Sequence, residues 1–217
     1  MKKLFLLTCF TWSMMCHAQD PLRFKDEVEK LTAADSTINK KNIILFTGSS
    51  SIVNWKTLKA DFPNRNVLNR GFGGSEMSDL IFYADEVIYP YKAKKIFIYE
   101  GDNDIASERD INTVFDNYRK LLKMIREDLS PRTKVYFISP KPSIARWALK
   151  DKYQILNRML SAWLDPRLEK NAFFIDVWTP MLEPDGSVKK DLFVEDGLHM
   201  NEKGYKIWKE VIGKYLQ

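Results

Sequence analysis

The chain has 217 residues with 34 basic and 29 acidic side chains, a formal charge of +5, and it is 45% hydrophobic and 13% aromatic with 9 glycines and 9 prolines. That length buries a full core and that apolar fraction is ordinary for a globular protein, which excludes a disordered chain, a collagen-like repeat and a disulfide-stapled miniprotein. One domain is expected, over residues 19–217, preceded by a leader.

The leader is residues 1–18. Lys2 and Lys3 precede an apolar run from Leu4 to Met15, and Cys16-His17-Ala18 places small residues before a cut ahead of Gln19. This is the layout of a cleaved signal peptide, and the run is shorter than the roughly 20 apolar residues a membrane anchor needs. A secreted or periplasmic location is expected; a lipoprotein anchor at Cys16 is the weaker alternative, because Met15 is large where such signals want a small residue. Cys9, Cys16 and His17 all fall in the leader, so residues 19–217 contain no cysteine and a single histidine, His199. A disulfide, a thiolate nucleophile and a multi-histidine zinc site are thereby excluded.

Five short apolar runs read as buried strands: Ile43 to Thr47, Asn66 to Asn69, Lys95 to Glu100, Lys134 to Ser139 and Ala172 to Val177. Helical stripes lie between and after them. Met77, Leu80, Ile81, Ala84, Val87 and Ile88 form one, and Ile111, Val114, Phe115, Tyr118, Leu121, Leu122 and Ile125 another. Residues 148–164 predict a third helix, and Tyr205, Trp208, Val211, Ile212 and Tyr215 line a last one. The alternation predicts a parallel sheet covered on both faces, a three-layer α/β domain. The lysines are dispersed in short pairs between acids, as on solvated helix faces. No nucleic-acid partner and no stable membrane insertion are expected.

Polar clusters follow the strands: Gly48-Ser49-Ser50-Ser51, Gly71-Phe72-Gly73-Gly74, Gly101-Asp102-Asn103-Asp104 and, after the fifth strand, Glu195-Asp196-Gly197-Leu198-His199. In an open α/β sheet the carboxyl ends of the strands are where ligands bind, so four clusters at one edge predict one site. A serine becomes a nucleophile when a base takes its proton, and His199 is the one imidazole able to do so. Asp196, one turn earlier, can hold the Nδ1 side of that ring. Backbone N–H groups at Ser50 and Gly74 and the Asn103 amide can receive a developing oxyanion. Spacing alone does not separate Ser49, Ser50 and Ser51.

From about Ile43 to Tyr205 the chain resembles the SGNH, or GDSL-type, hydrolases. The first block of that family falls on Gly48-Ser49-Ser50-Ser51-Ile52, with Ser49 where the family has aspartate. The second falls on Asn69-Arg70-Gly71-Phe72-Gly73-Gly74, the third on Gly101-Asp102-Asn103-Asp104 and the last on Asp196-Gly197-Leu198-His199. The resemblance implies a flavodoxin-like α/β/α sandwich with a five-stranded parallel sheet. It implies Ser50, Asp196 and His199 as the catalytic triad and Ser50, Gly74 and Asn103 as the oxyanion hole, with no metal or organic cofactor. The expected activity is a secreted serine esterase that removes a short acyl group, acetyl first, from a small-molecule or carbohydrate ester. A lysophospholipase- or thioesterase-like acylhydrolase and a non-catalytic carbohydrate-binding protein on the same fold are the alternatives. Trp55, Arg146 and Trp147 are candidate substrate contacts, against the competing reading that such aromatics are core.

Each site residue also has a structural reading. Ser50 can be a helix cap, Gly73-Gly74 a tight turn, Asn103 a loop brace, and Asp196 with His199 a surface pair. Asp104 is expected to be structural. All four blocks in order favour the catalytic reading.

Overall fold

A continuous apolar run commits both faces of the first strand to a core. In the computed structural model, which describes residues 20–216, Ile44–Gly48 is buried at all five positions. The expected leader and its cleavage position lie outside those residues.

In chain order the elements are α1 (Lys25–Thr32), β1 (Ile44–Gly48), α2 (Ser50–Val53), α3 (Leu58–Asp61), β2 (Val67–Gly71), α4 (Met77–Phe82), α5 (Ala84–Val87) and β3 (Lys95–Tyr99). Then follow α6 (Asp102–Ala106), α7 (Ile111–Asp128), β4 (Lys134–Ile138), α8 (Lys150–Trp163), β5 (Ala172–Ile175) and α9 (Glu202–Gly213). The five strands form one parallel sheet in the order β2-β1-β3-β4-β5. All five predicted strands are present, displaced by one or two residues at their ends.

Successive strand residues point to opposite layers. Leu45, Ile96, Ile98, Val135 and Phe137 join one core with α4, α5, α7 and α8. Ile44, Phe46, Phe97, Tyr99, Tyr136 and Ile138 join the other with Trp55, Leu58 and the Tyr205, Trp208 and Ile212 face of α9. On this second face the register puts Phe46 opposite Phe97, Phe97 opposite Tyr136 and Tyr136 opposite Phe173. Their rings stack at 4.6, 4.5 and 5.0 Å across four strands, a direct use of cross-strand neighbours.

The stripe from Met77 to Ile88 predicts one helix, and the structure divides it. Tyr83 leaves the helical region at φ −95°, ψ 16°, and its hydroxyl donates to Pro21 O at 2.9 Å. Met77, Leu80, Ala84, Val87 and Ile88 remain buried on one side of the break. Helix α1 has no predicted counterpart, because Val28 is its one buried residue and a single apolar position sets no period. Among the described residues no helix is long and apolar enough to cross a membrane.

The strand order reverses at β1: the chain goes out to β2 on one side and returns to β3 on the other. Loops leaving β1 and β3 therefore diverge, opening a crevice at their carboxyl ends. The three glycine-containing clusters after β1, β2 and β3 all reach that edge.

Candidate active site

The site begins with a glycine that no other residue can replace. At Gly48 φ is +122°, and a Cβ there would lie 2.0 Å from the Tyr99 carbonyl oxygen. The bare backbone lets the chain turn off β1 against β3, where the Ser49 N–H donates to Tyr99 O at 3.0 Å. That turn delivers Ser50 to the start of α2, half-exposed, while Ser49 and Ser51 are buried on either side of it.

The three serines are separated by their partners. Ser50 Oγ lies 3.1 Å from His199 Nε2. Ser49 Oγ instead accepts from Asn103 Nδ2 at 2.6 Å, and the Ser51 carbonyl accepts the Tyr205 hydroxyl at 2.9 Å.

His199 is carried by a loop that Asp196 folds upon itself. One carboxylate oxygen, Oδ1, accepts the backbone N–H groups of Leu198 at 2.7 Å and His199 at 2.9 Å, and Oδ2 meets His199 Nδ1 at 2.6 Å. Burial opposes the ionised form of Asp196. The bond to the His199 ring and the two backbone N–H groups outweigh it, and the carboxyl is held down at about 2. An ionised carboxylate accepts and never donates, so it places the imidazole proton on Nδ1 and leaves the Nε2 lone pair facing the Ser50 hydroxyl. The loop is fastened from outside by Ala145 N–H to Gly197 O at 3.0 Å and by Val194 N–H to His199 O at 2.9 Å.

On the other side of Ser50 lie the candidate oxyanion donors. Gly74 stands exposed at φ +81°, with open space where a Cβ would go. The neighbouring Gly73 N–H is taken by Glu27 Oε1 at 2.9 Å. Asn103 Nδ2 is bonded to Ser49 Oγ, next to Ser50, and to Ser75 O, next to Gly74, at 2.9 Å. Ser75 Oγ in turn lies 3.0 Å from Phe72 O and 2.5 Å from Glu100 Oε1. Glu100 is fully buried, and burial together with the charge of Asp104 pushes its carboxyl well up, against the Ser75 bond. In its neutral form Glu100 donates to Ser75 Oγ, which passes its own proton to Phe72 O and so holds the glycine turn.

Asp104 is structural in its contacts. It receives the Gly101 N–H at 3.1 Å and the Met77 N–H at 3.1 and 3.2 Å, which ties α6 to α4. Burial raises its carboxyl to about 7, helped by Glu76 and opposed by those backbone bonds.

Two of the three candidate substrate contacts face inward. Trp55 is a correction. It is 1% exposed, packed between Phe46, Phe62, Tyr205 and Trp208, with its indole N–H on Asp61 at 2.8 Å. Burying that ring fills the layer between β1 and α9, and nothing of it is left for a substrate. Arg146 is half-buried and bonds Asn103 Oδ1 and Asp102. Trp147 is half-buried and stacks on Trp178 at 6.0 Å. Glu100 and Lys141 have no role in the sequence reading, and Asp102 enters it only within the cluster after the third strand; the available signal for the two acids was their place directly after the apolar run at residues 96–99. Among the described residues no group of three or more His, Cys, Asp and Glu side chains is arranged to hold a metal ion.

The profile of the GDSL-like lipase/acylhydrolase family matches residues 35–207. No curated protein matches the chain. Among solved structures, a protein from Streptococcus pneumonia, provisionally described as a platelet activating factor, superposes with a TM-score of 0.79 at 22% identity, covering 90% of this chain and 94% of that one. A GDSL-like lipase from Bacteroides thetaiotaomicron VPI-5482 gives 0.72 at 18% identity, with 91% and 98% covered. An acetylxylan esterase from Geobacillus stearothermophilus, solved as a catalytic mutant, gives 0.63 at 16% identity, with 82% and 94% covered. At these identities the structural likeness speaks for the fold, and the family match speaks for the chemistry. The chain belongs to the GDSL-like lipase/acylhydrolase family and is an ester-bond hydrolase.

Proposed function

We propose that the protein is an exported serine esterase that removes a short acyl group, acetyl in the first place, from a carbohydrate ester. The observation that carries the mechanism is the unbroken chain from Ser50 Oγ through the His199 ring to Asp196, at 3.1 and 2.6 Å. Ser50 Oγ attacks the ester carbonyl carbon as His199 Nε2 takes its proton. The carbonyl oxygen becomes an oxyanion, received by the Ser50 and Gly74 N–H groups and by Asn103 Nδ2, which exchanges one of its present partners for it. Collapse expels the alcohol, protonated by His199, and leaves the acyl group on Ser50. Water, giving its proton to the same nitrogen, then releases the acid and restores the serine.

A short acyl group is favoured by where the apolar clefts lie. The one of about 1000 Å³ is lined by Thr57, Phe62, Tyr205 and Lys209 among others, and the one of about 860 Å³ by Ala93, Leu129 and Thr133; Ser50 and His199 border neither. Neither of these two clefts offers its volume to a long chain attached at Ser50. Carbohydrate as the alcohol part is supported by the acetylxylan esterase among the fold's relatives and by the leader expected at residues 1–18, which sends the enzyme to where polysaccharides are met. Trp147 is the candidate wall for a sugar ring.

The test is hydrolysis of p-nitrophenyl acetate and octanoate, with acetylated xylooligosaccharide beside them. Acetate turnover is expected to exceed octanoate turnover and to fall by about 10⁴-fold or more in Ser50→Ala and in His199→Ala, with unchanged melting temperatures. Octanoate preference would replace the reading with a lipid acylhydrolase. Turnover that survives Ser50→Ala would overturn the mechanism.

A further inference from the structure

Asn103 can serve an oxyanion only if its amide is turned the right way, and nothing in the Asn103 side chain itself decides between its oxygen and its nitrogen. The decision is shared between the Ser75 carbonyl, which accepts from Nδ2 at 2.9 Å, and a donor behind the amide. Arg146 Nη2 donates to Asn103 Oδ1 at 3.0 Å. A guanidinium only donates, so the group it touches must be the amide oxygen, and Nδ2 is left to face Ser49 Oγ and the Ser75 carbonyl beside the Ser50 turn.

Arg146 is in turn held by a buried carboxylate. Its Nη1 donates to Asp102 Oδ1 at 2.6 Å and to the Asp102 carbonyl at 3.0 Å. Oδ1 also accepts the Tyr153 hydroxyl at 2.5 Å, and Oδ2 accepts the Tyr99 hydroxyl at 2.7 Å and Lys141 Nζ at 3.4 Å. The Asp102 and Lys141 side chains are 7% and 1% exposed. Lys141 reaches onward: Nζ donates to Leu198 O at 2.8 Å, the peptide immediately before His199, and lies 5.7 Å from the centre of the Phe193 ring. A single buried node therefore grips both sides of the site, the amide on one and the histidine loop on the other.

We propose that Arg146 is a positioning residue for the hydrolytic reaction, orienting the Asn103 amide and adding a fixed positive charge behind it, and that the Asp102–Lys141 pair locks this orientation to the loop bearing His199. The node holds two cations against one carboxylate, so it presents net positive charge where negative charge develops. Its guanidinium is committed inward to three acceptors, which suits orientation and leaves little for gripping a substrate. This inference rests on the reading of Asn103 as an oxyanion donor.

The test combines kinetics with a readout that needs no catalysis. Arg146→Lys keeps the charge but cannot bond Asp102 and Asn103 together. On p-nitrophenyl acetate it is expected to lower kcat ten- to a hundredfold while KM stays within twofold, and Arg146→Lys/Asn103→Ala is expected to be no slower than Asn103→Ala alone. Losses that multiply in the double variant, or an unchanged kcat, would overturn the assignment. Independently, the side-chain amide resonances of ¹⁵N-labelled protein, with Asn103 assigned by its alanine variant, report the amide directly. In the wild type the Asn103 hydrogens are expected to exchange with solvent at least tenfold more slowly than those of exposed Asn64, and to lose that protection in Arg146→Lys. Equal exchange in the wild type, or protection that survives the substitution, refutes the inference even if no ester is hydrolysed. Absence of ester hydrolysis with the amide effect present removes the esterase reading and leaves the positioning of Asn103 standing.

Discussion

Asp102 and Asp104 flank Asn103 on the same short helix, and burial has opposite outcomes for them. Asp102 sits between Lys141 and Arg146. Burial pushes its carboxyl up, but those two charges and the hydroxyls of Tyr153 and Tyr99 more than offset this and hold it well below the usual carboxylate range. Asp104 is met by the backbone N–H groups of Gly101 and Met77, shares its surroundings with Glu76 and Glu100, and is raised to about 7. Desolvation acts on both; the sign is set by whether a cation is within reach. The Asn103 amide is thus mounted between a carboxylate that paired cations hold ionised and a carboxyl that burial pushes up.

The comparison breaks most violently at Asp102. Asp102→Ala strands the buried Lys141 and the half-buried Arg146 and is expected to lower unfolding stability by about 3–5 kcal/mol, read from urea denaturation; a loss below about 1 kcal/mol would show that the ion pairs are incidental. Its linkage runs in the usual carboxylate direction: the depressed folded-state value contributes stability present above the unfolded value of 3.8 and lost as the pH falls below it. Asp104 runs the other way. Its folded form keeps a proton that the unfolded chain has released, so stability falls as the pH climbs from about 4 towards about 7. Asp104→Asn is therefore expected to flatten the decline in melting temperature across that window, and an unaltered slope would remove Asp104 as its source. Smallest of all should be Glu100→Gln. An already neutral acid exchanged for a neutral amide of the same shape keeps a donor to Ser75, with a change within about 1 kcal/mol at pH 7; a larger loss would mean that Glu100 is ionised.

Most of the fold is legible in residue patterning because its causes are local. Five apolar runs separated by helical stripes suffice for a parallel sheet with two covered faces, and the aromatic ladder from Phe46 to Phe173 follows from period and register. The helix break at Tyr83 was not legible, since it answers to Pro21, far away in the chain. Nor could Ser50 be separated from Ser49 and Ser51 by spacing, because the distinction is which hydroxyl meets a histidine 149 residues later. Trp55 misled for a similar reason: its neighbours Tyr205 and Trp208 come from the last helix. Lys141, set between two prolines, reads as a surface lysine until the loop ending at His199 folds back over it.

The distance in sequence between Ser50 and His199 also dictates when the site can exist. Sheet and helices up to β4 can gather while the ribosome is still extending the chain, but the imidazole enters 149 residues after Ser50. Contacts closing so long a loop are among the slowest to form. A nascent chain not yet extended to His199 has Ser50 without its imidazole partner and Lys141 without the Leu198 carbonyl it holds in the fold. The Ser50–His199 contact therefore becomes available only once the chain has been extended past residue 199.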